Sequence, residues 1–65
     1  MQGFIVNLNR VKDEDLIVSI LTNNNLESLY RFYGARHSTI NLGFKIDFEI
    51  EASSKSSISR LKDVV

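Results

Sequence analysis

The chain contains no cysteine, no proline and no tryptophan, and only three glycines and a single histidine among its 65 residues. The missing cysteine excludes disulfides and thiolate-held metal, two staples on which very small domains often rely. It also leaves the redox compartment unmarked. No apolar run approaches the roughly 20 residues that span a bilayer. The opening MQGFIVNLNR lacks the basic head, apolar stretch and small-residue cleavage site of a secretion signal. A cytoplasmic location and no membrane partner are therefore expected. Internal repeats and coiled-coil heptads are absent too.

What is present is the composition of a folded domain, 43% hydrophobic and 25% charged. Residues 1–65 are expected to form one domain, and a chain this short buries only about 60% of its unfolded surface. The ending RLKDVV stops inside an apolar pattern, which reads as an N-terminal fragment of a longer protein. Eight basic and eight acidic residues cancel, so the total charge says nothing about nucleic acid. Their distribution says more. No acid lies between Glu27 and Asp47, where Arg31, Arg36, His37 and Lys45 fall, whereas acids gather at Asp13, Glu14 and Asp15 and at Asp47, Glu49 and Glu51. A one-sided surface is the expectation.

Period-two patterning dominates the chain. GFIVNL sets Phe4, Val6 and Leu8 on one face against Ile5 and Asn7, and LIVSILT sets Leu16, Val18 and Ile20 against Ile17 and Leu21. The triplet Asn23–Asn25 marks a tight hairpin, because asparagine tolerates left-handed backbone. The strand that follows is predicted to turn Tyr30 and Phe32 into the core and Arg31 and Tyr33 outward. Gly34 then serves as the hinge, and residues 35–42 form a loop or a single turn capped by Ser38. FKIDFEIE alternates most cleanly, with Phe44, Ile46, Phe48 and Ile50 inward. After the serine-rich loop around Lys55, ISRLKDVV reads two ways: Ile58, Leu61 and Val65 suit one helix face, while its β-branched end suits a last strand, the reading preferred. Four to five short strands in this length predict an all-β fold, a small five-stranded Greek-key barrel of the oligonucleotide/oligosaccharide-binding (OB) kind, with an SH3-like barrel as the alternative.

No glycine-rich phosphate loop, paired metal ligand or nucleophile elbow is present. His37 has only Ser38 beside it in sequence, which does not make a dyad, and its expected part is a partial positive charge near neutral pH. Asp13, Glu14 and Asp15 lack the spacing and glycine of a calcium loop and read as a solvated turn. The chain is accordingly not read as an enzyme, and no cofactor or small-molecule substrate is expected. One stretch does combine what single-stranded nucleic acid requires, namely cations for the backbone and flat rings for bases. It is YRFYGARHS, with Arg31, Tyr33, Arg36 and His37; Lys45 joins them, with Arg10 and Lys12 as weaker contributors.

The segments GFIVNLNRVKDEDLIVSILT, LYRFYGARHS and LGFKIDFEIE resemble the N-terminal module of the RecO recombination mediators, particularly those of epsilonproteobacteria. The similarity rests on Asp15 before LIVSILT, on GAR after the third strand and on the strand closing near Glu49, and it spans essentially the whole chain. The resemblance implies an OB barrel ahead of a helical C-terminal part, and a non-enzymatic protein of recombinational repair. It implies binding of single- and double-stranded DNA, annealing of strands, and loading of RecA, together with RecR, on DNA coated by single-strand-binding protein. It implies basic residues around Gly34, Ala35 and Arg36, while the zinc site many members carry lies in the C-terminal part. Where members often follow GAR with a further cation, this chain has His37 and Ser38; where they often place a glycine in the second hairpin, it has asparagines.

Two rival readings remain at this stage. A protein-interaction barrel would contact a partner through Asp47, Glu49 and Glu51 without binding DNA. An enzyme would use Asp13, Glu14 and Asp15 with His37.

Overall fold

The computed structural model describes residues 1–36, 38–53 and 57–65. His37 and Lys55 lie outside the described residues. Strands β1 (Gln2–Val11), β2 (Asp15–Leu21), β3 (Leu26–Arg31), β4 (Lys45–Asp47), β5 (Glu49–Glu51) and β6 (Arg60–Lys62) follow one another, with a 3-10 turn, Gly34–Arg36, after β3. They form one sheet in the order β4-β1-β2-β3-β6-β5. Only Phe48 separates β4 from β5, so 45–51 is one broken strand whose first half pairs with β1 and whose second half pairs with β6. The sheet thereby curls back on itself. Three consecutive strands with a fourth returning beside the first make a Greek key, and the last strand joins β3 in parallel at Tyr30 and Arg60. This is the five-stranded OB-like barrel that the alternation predicts.

Backbone hydrogen bonds run through Phe48 and tie both chain termini to the broken strand. Phe48 exchanges backbone bonds with Met1, its N–H donating to the Met1 carbonyl at 2.8 Å and its own carbonyl accepting from the terminal ammonium at 3.0 Å. Asp47 instead accepts from the Val65 N–H at 2.9 Å. Met1 opposite Phe48 thus extends the register of Gln2 opposite Asp47 by one residue, while Asp47 turns its backbone groups to Val65 on the other side, as alternate residues of an extended strand do.

Why each strand buries the face it does follows from register. Leu16, Val18 and Ile20 of β2 are buried as their alternation requires. Across the hairpin Val18 stands opposite Leu29, and residues directly opposite share a face. Leu29 is therefore the core residue of β3, and Phe32 is 48% exposed. The expected facing of this strand is inverted: Phe32 is a surface ring, Tyr30 is half-buried, and Arg31 points to the same side as Leu29 and is half-buried.

In β1 the pairing skips Val6, with Ile5 opposite Ile20 and Asn7 opposite Ser19. A bulge of this kind resets the alternation. Ile5 is buried, Phe4 and Val6 are exposed, and Leu8 packs on the core, so Phe4, Val6 and Leu8 do not share a face. Gly3 allows the crossing here, since a Cβ at this position would lie 2.5 Å from Ile20 Cγ2.

Among the described residues nine buried side chains make the core: Ile5, Leu16, Val18, Ile20, Leu29, Ile40, Ile46, Phe48 and Leu61. Each contributes about 1.5–3 kcal/mol of burial. Ile40 reaches in from the connection between β3 and β4, where Asn41 Nδ2 donates to the Ser38 carbonyl at 2.7 Å; Ser38 does not cap the 3-10 turn, which precedes it. Phe44 stays outside, exposed before β4 begins. The Asn23–Asn25 hairpin forms as expected but by another device. Left-handed backbone among the described non-glycine residues occurs at Lys12, Tyr33 and Asp63, not at an asparagine. Thr22 does the work, its N–H donating to the Asn25 carbonyl at 2.9 Å and its Oγ1 accepting from the Asn25 N–H at 3.2 Å.

Candidate nucleic-acid interface

The β1–β2 turn and the end of β3 meet at one end of the barrel, and Asp15 joins them. This carboxylate is buried, 8% exposed. Its Oδ2 accepts from the Tyr30 hydroxyl at 2.6 Å and its Oδ1 from the Tyr33 backbone N–H at 2.9 Å. The Tyr30 hydroxyl, the Tyr33 N–H and the charge of Lys12 hold the Asp15 carboxyl below its usual 3.8, against the effect of burial. Conversely the Asp15 hydrogen bond, burial and the neighbouring negative charge push the Tyr30 phenol above 10.0. Asp15 is thus a structural acceptor, and the solvated-turn expectation fails for it.

Tyr33 adopts φ 55°, and there the chain swings away from β3. The hinge is Tyr33, not Gly34. Gly34 is buried, and a Cβ on it would lie 3.0 Å from Leu16 Cβ, so it packs against the barrel instead of approaching a ligand. The 3-10 turn that follows docks on the β1–β2 turn, the Ala35 N–H donating to the Glu14 carbonyl at 2.9 Å. Arg36 is thereby brought over Tyr33, its Cζ 5.0 Å from the ring centroid, with Nε paired to the Glu14 carboxylate. Tyr33 is 57% exposed. A second ring of the same kind stands beside it. Phe32 meets Tyr30 edge-on at 4.9 Å, and the Arg60 guanidinium lies 5.1 Å from the Phe32 centroid.

Lys12, Tyr33 and Arg36 are brought together around a cleft of about 450 Å³ that Phe32, Asp13, Glu14 and Asp15 also line. Arg10 and Arg31 stand opposite Leu16 from either side, and neither lines the cleft. Arg31 Nη1 donates to the Leu61 carbonyl at 3.0 Å, so its guanidinium clamps β3 to β6. Lys45 is elsewhere: it pairs with Phe4, six positions from Arg10 along β1, about 20 Å away at strand rise. There its Nζ lies 5.9 Å from the Phe4 centroid.

The expected separation of charge does not hold. The acids of the β1–β2 turn fold onto the basic stretch, and three carboxylates face two cations in the cleft. Sequence reasoning also missed Phe32 and Arg60. Counting across the hairpin from Val18 would have put Leu29 inside and Phe32 outside; nothing local marks Arg60, which arrives through the parallel pairing. Among the described residues no group of three or more His, Asp or Glu side chains is placed to hold a metal, and no helix is long and apolar enough to cross a membrane.

A Greek-key barrel of the OB kind, with exposed rings each facing a guanidinium at the end of its third strand, has the features of a binding module. The family model described as RecO N terminal matches residues 1–65, the whole chain, and the chain belongs to that family. Its role is accordingly in DNA repair and recombination, in a family of non-enzymatic mediators that deal with DNA and with other repair proteins. Among curated proteins nothing matches the chain.

Proposed function

We propose that this barrel binds DNA for a recombination mediator, single strands through base stacking and double strands through their phosphates. In this reading it anneals complementary strands and, with RecR, helps load RecA on DNA coated by single-strand-binding protein, in the cytoplasm. The observation that carries it is the pair of exposed rings, Phe32 and Tyr33, each with a guanidinium at about 5 Å, from Arg60 and Arg36. Rings with cations beside them suit bases and phosphates of one strand, and a stacked base contributes about 1–3 kcal/mol. Arg36, Arg60 and Lys12 would meet phosphates, with Arg10 and Arg31 as weaker contributors and His37 assigned from the sequence alone; Lys45 would require a strand that wraps along β1. The test is a titration of labelled oligothymidylate at several salt concentrations with Phe32→Ala, Tyr33→Ala and Arg36→Ala. Each should weaken binding, and Arg36→Ala should also flatten the salt dependence by about 0.7 in log–log slope. Three variants that bind like the parent protein would remove this surface from the site.

A second reading is favoured by a different row. Lys45, Phe4, Leu21 and Leu26 stand opposite one another across four strands, and the last three are 49%, 49% and 62% exposed. Such a row suits a protein partner such as RecR. Leu26→Glu should then abolish that complex and leave DNA affinity unchanged.

A further inference from the structure

Arg36 is the residue that phosphate recognition most needs, yet in the free barrel it is occupied on two sides. The contact itself covers the Glu14 Oε2, while the Arg36 and Glu14 side chains remain 66% and 38% exposed. The guanidinium covers one face of the Tyr33 ring at 5.0 Å. This is not a chance meeting of two long side chains. The Ala35 N–H is bonded to the Glu14 carbonyl, so the two turns are registered by backbone and the carboxylate is always within reach. Arg60 has no equivalent arrangement. Its approach to Glu51 is 3.9 Å, and Lys62 takes the other oxygen of the same carboxylate at 3.2 Å.

From this geometry we infer that Glu14 is a displaceable latch that sets the threshold for nucleic-acid binding. The inference rests on the DNA-binding reading of the same surface. With Glu14 engaged, the charge of Arg36 is cancelled and one face of Tyr33 is closed. A strand phosphate presents two or more oxygens to the guanidinium fork and replaces the single carboxylate contact. As the guanidinium follows the phosphate off the ring, the freed face accepts a base. The ligand that opens the latch therefore has both parts, an anion and a flat base one nucleotide apart. An exposed ion pair holds weakly enough to be displaced. Asp13 and Asp15 line the same cleft, but Asp15 is committed to Tyr30 and Tyr33 and no ion pair joins either to Arg36 among the described residues.

The test is a double-mutant cycle on the 65-residue chain, read by anisotropy of labelled oligothymidylate across a salt series. Glu14→Gln should bind about two- to five-fold more tightly than the parent, the range set by an exposed ion pair. Its salt dependence should stay close to the parent's, because the strand meets Arg36 in both complexes once the latch is open. On an Arg36→Ala background the same Glu14→Gln change should bring no gain. Melting curves of all four proteins separate a folding defect from a binding effect. The latch is overturned if Glu14→Gln binds no more tightly than the parent, or if the gain persists without Arg36, which would show plain repulsion between carboxylate and phosphate. Parent protein that binds, weakens with Arg36→Ala and ignores Glu14→Gln sinks the latch alone. A set in which no protein binds sinks the DNA-binding reading with it.

Discussion

The backbone N–H of Tyr33 donates to Asp15 Oδ1 at 2.9 Å, and Tyr33 sits at φ 55°. A turn residue two positions past the end of β3 is thus held in left-handed backbone by a carboxylate 18 positions earlier in the chain. Without that acceptor the conformation is unfavourable for a side chain as large as tyrosine. Asp15 therefore stands behind the placing of Tyr33 and, through the turn that follows, of Arg36.

The pH dependence of stability should show this. The folded Asp15 carboxyl lies below 3.8, chiefly through the Tyr30 hydroxyl. Its contribution is complete above that value and is lost as pH falls through the lower folded value. The folded Tyr30 phenol lies above 10.0. Its contribution is complete below 10.0 and is lost as pH rises through the raised folded value. Melting temperature should hold a plateau between these limits and fall on both sides. Tyr30→Phe should remove the alkaline fall and shrink the acid one. Identical pH profiles for the two proteins would contradict the pairing.

The inverted facing of β3 predicts unequal costs. Leu29→Ala should cost about 2–5 kcal/mol in denaturant unfolding, as for a buried leucine. Phe32→Ala, at a half-exposed ring, should cost about 1 kcal/mol or less while weakening DNA binding. A larger stability loss for Phe32 than for Leu29 would restore the facing first read from the sequence.

Two arginines five positions apart should part company in the same way. Arg31 is bonded to the Leu61 carbonyl across the β3–β6 seam, and a bond from a charged donor contributes about 1.5–3 kcal/mol. Arg31→Ala should lower stability by that order. Arg36→Ala should leave stability within about 0.5 kcal/mol, as expected of a solvent-facing side chain, and act on binding alone.

Gly3→Ala should destabilise by about 1–3 kcal/mol, the range for overpacking. The added methyl would lie 2.5 Å from Ile20 Cγ2 and 2.9 Å from the Leu21 carbonyl oxygen. An unchanged unfolding midpoint would mean that β1 and β2 are free to separate there.

Much of the barrel was legible in the sequence because period-two burial is written residue by residue. Leu16, Val18 and Ile20 inward, the turn at Asn23–Asn25, Ile46 and Phe48 inward, and a strand near the end of the chain all follow from local pattern. What escaped depended on partners far away in the chain. The bulge at Val6 exists because β1 serves β2 and β4 at once. The facing of Phe32 depends on hairpin register, and its neighbour Arg60 arrives through a parallel strand 30 residues on. The cleft shows the same division. The stretch YRFYGARHS was visible as chemistry, but the acids that temper it come from the previous turn, and a charge census along the sequence cannot fold them together.

The seam between β3 and β6 has its own consequence. It rests on the pairing of Tyr30 with Arg60, the Tyr30 N–H bond to the Ser59 carbonyl at 2.9 Å and the Arg31 clamp. Phe32 and Arg60, which face each other at 5.1 Å, stand on opposite sides of it. A strand of DNA gripping both would act as a weld across the barrel's thinnest joint. Affinity and closure would then be one free energy counted from two ends, and an occupied barrel would melt later than an empty one.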